Sequence, residues 1–174
     1  MIFLLTGGAA CGKSSYAEDL AERLGQPRYY IATMEPYGEE GRQRIARHRA
    51  MRAKRNFQTI ERYTDLAGLR LPQPDGVVLL ECIGNLTANE LFSPGASAES
   101  CESAVLTGVS NLAQQCRHLI LITNEVGGDS LVYADRSGEY IETLGRINQA
   151  LANEADQAWE LVCGIPIVRK GTLL

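Results

Sequence analysis

Ile2-Phe3-Leu4-Leu5-Thr6-Gly7-Gly8-Ala9-Ala10-Cys11-Gly12-Lys13-Ser14 is the stretch that decides the fold of this chain. Ile2–Leu5 is a short apolar run and reads as a buried strand entering a tight turn. Gly7 to Ser14 matches G-x-x-x-x-G-K-[ST] in full, and Ser14–Leu24 behind it reads as a helix closed by Gly25 and Pro27. The glycines let the backbone wrap close to phosphates, and the loop N–H groups and helix N-terminus face their negative charge. Gly7, Gly8, Ala9, Ala10, Cys11 and Gly12 are therefore candidate nucleotide-binding residues. Lys13 would reach the β- and γ-phosphates in a catalytic role, and the Ser14 hydroxyl would bind Mg²⁺. The competing reading is an incidental glycine-rich turn, and the strand before it and the helix after it weigh against that.

Outward from this loop, strand and helix signals alternate. Tyr29–Ala32, Phe57–Ile60, Val77–Leu80 and Leu119–Thr123 read as strands, the last two apolar throughout. Helical stretches are expected from Glu39 to about Arg55, over Glu99–Cys116 and over Tyr140–Ala158. Trp159–Cys163 and Ile165–Val168 read as a C-terminal hairpin, and Leu91–Ala98 and Gly127–Gly138 as surface loops. Apolar strands alternating with helices imply a mostly parallel sheet covered on both faces. The expected class is α/β: a single P-loop domain spanning 1–174, with no internal repeat and no linker.

Bulk composition limits the function classes. The 174 residues suit one domain with a sizeable core, and 45% are hydrophobic, as in a globular chain. A net charge of −4 argues against a general nucleic-acid binder, so attraction for phosphate must be local. The five cysteines are odd in number and form no C-x-x-C, which disfavours a disulfide framework or zinc site. Reduced thiols and a cytoplasmic location are expected. The N-terminal apolar run is too short for a signal peptide, and no stretch approaches the roughly 20 apolar residues of a membrane span.

Two further features carry chemistry. Glu81 closes the Val77–Leu80 strand, where P-loop proteins place an acid that holds Mg²⁺ directly or through water. Asp is commoner there, and an exposed strand-end carboxylate is the bland alternative. The run Arg42–Arg55 holds seven Arg or Lys and no acid, inside an acidic protein. On a helix, Arg44, His48 and Arg52 share a face. Neighbouring cations lower a histidine pKa, and a neutral imidazole can attack phosphorus to form a phosphoramidate. A solvated basic face and a short nucleic-acid patch are the competing readings. His118 precedes an apolar run and reads as structural. Asn124-Glu125 sits where open α/β sheets place ligands, or merely caps a loop. Asn148 and Gln149 line a cleft or face solvent.

Taken in order, these segments resemble the bifunctional adenosylcobinamide kinase / adenosylcobinamide-phosphate guanylyltransferase family of the cobalamin pathway. Thr6–Ser14 resembles its P-loop, and Tyr30-Ile31-Ala32-Thr33 the strand that contacts guanine nucleotide there. Arg44-Ile45-x-x-His48-Arg49-x-x-Arg52 resembles the segment carrying the family's guanylylated histidine. Thr59-Ile60-Glu61 resembles the following T-x-E, whose acid contacts the nucleotide, at base or at ribose. Leu80-Glu81-Cys82, Thr123–Gly127 and Gly145–Gln149 resemble further signatures.

The resemblance implies a RecA-like sheet, GTP and ATP as substrates, adenosylcobinamide and its phosphate as acceptors, and a homotrimer. It also implies nucleotide contacts at Ile31, Ala32, Thr33, Arg49, Arg52 and Glu61, with His48 as nucleophile. The chain departs from the pattern at Ile83-Gly84-Asn85-Leu86, where many members carry a Thr, and at Tyr140-Ile141-Glu142. Those departures leave the corrinoid contacts open. A P-loop kinase without guanylyl transfer and a nucleotide-sensing module remain as alternatives.

Overall fold

The computed structural model of the protein describes residues 1–36, 38–39, 43, 45–46, 49–50, 55–126 and 136–174. The described strands form a seven-stranded sheet in the order β3-β2-β4-β5-β1-β6-β7. β1 (Ile2–Thr6), β2 (Arg28–Ala32), β3 (Phe57–Glu61), β4 (Val77–Glu81), β5 (His118–Ile122) and β6 (Gln157–Val162) are parallel. β7 (Ile165–Lys170) returns antiparallel to β6. Cys163 and Gly164 join them, both at positive φ (51° and 80°), the conformation a two-residue primed turn requires.

Four helices are described in full: α1 (Lys13–Leu24), α2 (Ile83–Leu91), α3 (Ala98–Ala113) and α4 (Arg136–Glu154). Gly38, Glu39, Gln43, Ile45, Ala46, Arg49 and Ala50 are also helical, in keeping with the reading of 39–55; Arg55 already lies in a turn, and the remaining residues of that stretch lie outside the described ones.

Strand alternation explains why both faces are covered. Val78 and Leu80 pack with Leu4, Val105 and Leu144 on the face carrying α2, α3 and α4. Val77 and Leu79 pack with Phe3, Leu5, Leu20 and Trp159 on the face carrying α1. Each such side chain, fully buried, contributes about 1.5–3 kcal/mol of apolar transfer. α3 begins at a reciprocal cap: Ser100 N–H donates to Ser97 Oγ (3.2 Å), and Ser97 N–H donates to Ser100 Oγ (2.9 Å).

Several boundaries differ from the sequence reading. α4 starts at Arg136, inside the expected 127–138 loop, whose residues 127–135 lie outside the described ones. It stops at Glu154 rather than Ala158, because the chain must reach β6 with Gln157 in register with Phe3. The helix expected over Glu99–Cys116 spans Ala98–Ala113. α2 has no counterpart in the sequence reading. Its cap is the Cys82 thiol, which accepts from Asn85 N–H (3.4 Å), and Gly84 sits in its first turn.

His118 opens β5 at the sheet end opposite the glycine loop, beside Phe3 (ring centroids 6.1 Å apart). Burial, then the Met1 amine and Arg117, hold its imidazole below the ordinary value of 6.5. The folded state therefore resists the proton that the unfolded chain accepts, so stability is lost as pH falls below about 6.5. Urea midpoints at about pH 7.5 and pH 5.5 should separate more for wild type than for His118→Gln, whereas equal separations would show an imidazole that titrates freely.

Candidate active site

The C-terminal ends of the parallel strands gather the candidate residues around a cavity of about 570 Å³. Ala9 to Ser15 form one wall, and Tyr30, Ala32, Met34, Ile45, Glu61, Glu81, Cys82, Asn85, Ile122 and Asn124 complete it. This is where open α/β sheets place ligands.

The loop's shape follows from its glycines. Gly7 takes φ 134° and lies so close to β6 that a Cβ there would stand 2.5 Å from the Leu161 carbonyl oxygen. Gly12 takes φ 97°, caps α1 with no side-chain acceptor, and lies against Gly164. The first N–H groups of α1 are thus left facing the cavity. Lys13 is buried, and its ammonium donates to the Gly7 and Gly8 carbonyls, both at 2.7 Å.

Glu81 faces this loop across the cavity. Its Oε1 accepts from Ser14 Oγ at 2.6 Å and its Oε2 from the Tyr30 hydroxyl. Thr33, fully buried, fixes the neighbouring backbone: its Oγ1 donates to the Cys82 carbonyl (2.9 Å) and accepts from Cys82 N–H (2.7 Å). Thr33 N–H also donates to the Glu81 carbonyl (3.1 Å). Burial pushes the Cys82 thiol up, so it caps α2 as a neutral group.

On the far wall, Glu61 pairs with Arg49. Burial raises Tyr63, and its hydrogen bond to Glu61 adds to the shift, so Tyr63 stays a donor to that carboxylate.

Gly7 to Ser14, Ala32, Glu61 and Glu81 are thus brought together, with Arg49 attached through Glu61. Ile31 is different: its side chain is buried in the core on the α2–α4 face. Thr33 acts as a backbone staple. His48 and Arg52, with Arg44, lie outside the described residues. Asn148 turns inward, where its Oδ1 accepts from Thr123 Oγ1 (2.6 Å) and its amide donates to the Asn124 carbonyl (3.4 Å), while Gln149 is exposed. Tyr30 is the residue that sequence reasoning passed over. It lies in a quoted segment, but nothing in the sequence says that its hydroxyl reaches Glu81.

Strand, glycine loop, helix, buried lysine and facing carboxylate together define a P-loop-type nucleotide-binding α/β protein. The family model described as cobinamide kinase / cobinamide phosphate guanyltransferase matches residues 3–168, and the chain belongs to that family. It is 33% identical over 180 residues to the bifunctional adenosylcobalamin biosynthesis protein CobU of Escherichia coli, covering 96% of this chain and 98% of the relative. The Pseudomonas aeruginosa protein CobP, described in the same words, is 32% identical, covering 97% and 96%. A solved Pyrococcus horikoshii structure matches with a TM-score of 0.54 at 10% identity, over 99% of this chain and 87% of the other, a likeness of fold. Among the described residues, no helix is long and apolar enough to cross a membrane.

A side chain at residue 7 would meet both an unfavourable φ and a backbone oxygen. Gly7→Ala should therefore lower stability by about 1–3 kcal/mol in urea titrations. Gly8→Ala is the control, since a Cβ there meets nothing within 4 Å. Equal midpoints for the two variants would sink the idea that close approach to β6 fixes residue 7.

Proposed function

We propose that Lys13, Ser14, Glu81, Glu61 and His48 perform the family's two reactions in this chain, which acts as one domain over 1–174. In the first, a nucleoside triphosphate, ATP or GTP, phosphorylates the aminopropanol hydroxyl of adenosylcobinamide. In the second, GTP guanylylates His48 with release of pyrophosphate, and the GMP passes to adenosylcobinamide phosphate to give adenosyl-GDP-cobinamide.

The observation that carries this reading is the Ser14–Glu81 contact of 2.6 Å across the glycine loop. A hydroxyl and a carboxylate oxygen side by side are the hard oxygen ligands Mg²⁺ takes. Among the described residues no three His, Cys, Asp or Glu cluster to cage an ion, which suits a metal completed by phosphates and water. Bound there, Mg²⁺ neutralises charge on the phosphate oxygens.

The chain's own groups do the rest. The Lys13 ammonium leaves the Gly7 and Gly8 carbonyls for the β- and γ-phosphate oxygens. The loop N–H groups and the α1 N-terminus hold the triphosphate in line, and positioning with electrostatics dominates such chemistry. Glu61 suits the guanine edge, because a carboxylate accepts from N1–H and the exocyclic amine, and Arg49 and Tyr63 orient it. Ile45 on the cavity wall and Arg49 on Glu61 flank His48 in sequence, which favours His48 as the nucleophile. Its neutral imidazole bonds to the α-phosphorus while pyrophosphate departs, and Arg49 and Arg52 offset the charge.

The acidic balance fits small-molecule substrates rather than nucleic acid, and we place the protein in the cytoplasm. We also propose a homotrimer, in line with the resemblance. Val162, Ile165, Ile167 and Val168 are exposed on the edge hairpin, which offers apolar surface and an unpaired strand for subunit contact.

The test is incubation with Mg²⁺ and α-phosphate-labelled GTP, followed by denaturing electrophoresis beside His48→Ala. An acid-labile, base-stable label on wild type, absent from the variant, is the expected result. A label retained by His48→Ala would remove His48 as the nucleophile. An unlabelled wild type would leave a P-loop kinase without guanylyl transfer.

A further inference from the structure

We infer that a second cavity along α2, with Phe92 in its wall, seats one edge of the corrin macrocycle of the acceptor; this rests on the proposed function. The cavity is about 330 Å³ and is lined by Glu35, Ala88, Asn89, Phe92, Ser93 and Pro94. Two chain continuities tie it to the nucleotide cavity. Met34 lines the first cavity and Glu35 the second. Asn85 lines the first, while Ala88, Asn89 and Phe92 line the second. Those four residues fall at i, i+3, i+4 and i+7, one face of α2 and its C-cap. At the α-helical rise they span about 10 Å, so an acceptor in the second compartment lies within side-chain reach of the phosphates in the first.

The second compartment is built for a flat, amide-fringed ligand. Phe92 is 46% exposed, an unusual fraction for a large ring, yet it is held in place. It stacks on Tyr140 (centroids 6.4 Å apart, interplanar angle 29°), and the Arg136 guanidinium lies 4.8 Å from its centroid. Arg136 is itself fixed by donating to the Leu91 carbonyl (3.0 Å), and Tyr140 by donating to the Gly84 carbonyl (3.2 Å). An exposed ring that loses little freedom on contact is suited to stacking against a conjugated macrocycle.

The polar rim matches the same ligand. Asn89 is fixed by donating to the Thr33 and Tyr63 carbonyls (2.8 and 3.0 Å), which ties the compartment to the strand ends of the nucleotide site. Glu35 contributes a carboxylate. Adenosylcobinamide is cationic, because its cobalt(III) is only partly balanced by the corrin and alkyl anions, and its periphery is carboxamides. Glu35 meets both features by attraction and by accepting amide N–H groups. Of the two departures from the family pattern, Tyr140–Glu142 adjoins this compartment, where Tyr140 supports Phe92, and Ile83–Leu86 begins the helix that lines it.

Phe92→Ala, Phe92→Trp and Glu35→Gln test the assignment through two readouts, self-guanylylation by GTP, which needs no corrinoid, and equilibrium dialysis with adenosylcobinamide followed by its visible absorbance. Phe92→Ala should weaken adenosylcobinamide binding about tenfold, with the KM for GTP in self-guanylylation within about twofold of wild type and binding restored by Phe92→Trp. Glu35→Gln should weaken binding more at low salt than at high salt. Unchanged corrinoid binding in both Phe92→Ala and Glu35→Gln, with labelling intact, overturns the inference. A parallel loss of GTP labelling in Phe92→Ala also overturns it, since Phe92 would then only support the nucleotide cavity. Failure of wild type to label is a different result and falls on the proposed function instead.

Discussion

The Gly164 N–H donates to the Cys11 carbonyl at 2.8 Å, and on that contact the shape of the phosphate loop depends. The loop leaves β1, which runs between β5 and β6, and bends back over the turn joining β6 to β7. Gly7 lies against the Leu161 carbonyl and Gly12 against Gly164, so the hairpin is a brace under the loop from both ends. A loop of small residues has high conformational entropy, and ordering it costs about 1–2 kcal/mol per residue. The brace supplies that order through protein contacts, so the N–H groups are aimed before any phosphate arrives.

The opposite wall is set by a similar logic with different chemistry. Glu81 ends a strand whose preceding residues are fully buried, so its position is dictated by the core. Its two oxygens are then shared between Ser14 from α1 and Tyr30 from β2, and the Thr33 staple holds the backbone behind it. Three elements therefore converge on one carboxylate. Conversely, the buried Lys13 ammonium rests on carbonyls of its own loop, neutral acceptors that charged phosphate oxygens can replace at little cost.

How much of this the sequence revealed depends on the kind of signal. The P-loop was legible because its residues are contiguous and its flanking strand and helix have clear periods. β4 and β5 were legible as apolar runs, and Glu81 followed from where β4 stops. The hairpin was legible from Gly164 between two short strands. α2 was not, because its cap is a thiol and its first turn holds a glycine, both outside the usual start signals. Tyr30 and Thr33 were quoted in a motif, yet their jobs exist only through contacts across strands, which no local pattern encodes. Ile31 shows the reverse: a residue within a nucleotide-contact motif whose side chain belongs to the core.

The same helix that escaped the sequence reading joins the two halves of the chemistry. A kinase step and a guanylyl transfer differ in donor phosphorus, α or γ, but share one acceptor arm, first its hydroxyl and then its phosphate. A site that serves both needs a fixed seat for the macrocycle and a short path along which the arm's end shifts by about one phosphate. α2 offers that arrangement, since Asn85 faces the nucleotide cavity and Phe92 lies two turns further on. Its start is pinned to the Glu81 strand end by the Cys82 cap, and its last turn is pinned to the residues just after β2 and β3 by Asn89. A shift of α2 would move the Glu81 strand end and the acceptor seat together, which preserves their spacing. Spacing between donor and acceptor, rather than affinity for either, is what in-line phosphoryl chemistry most requires of a scaffold.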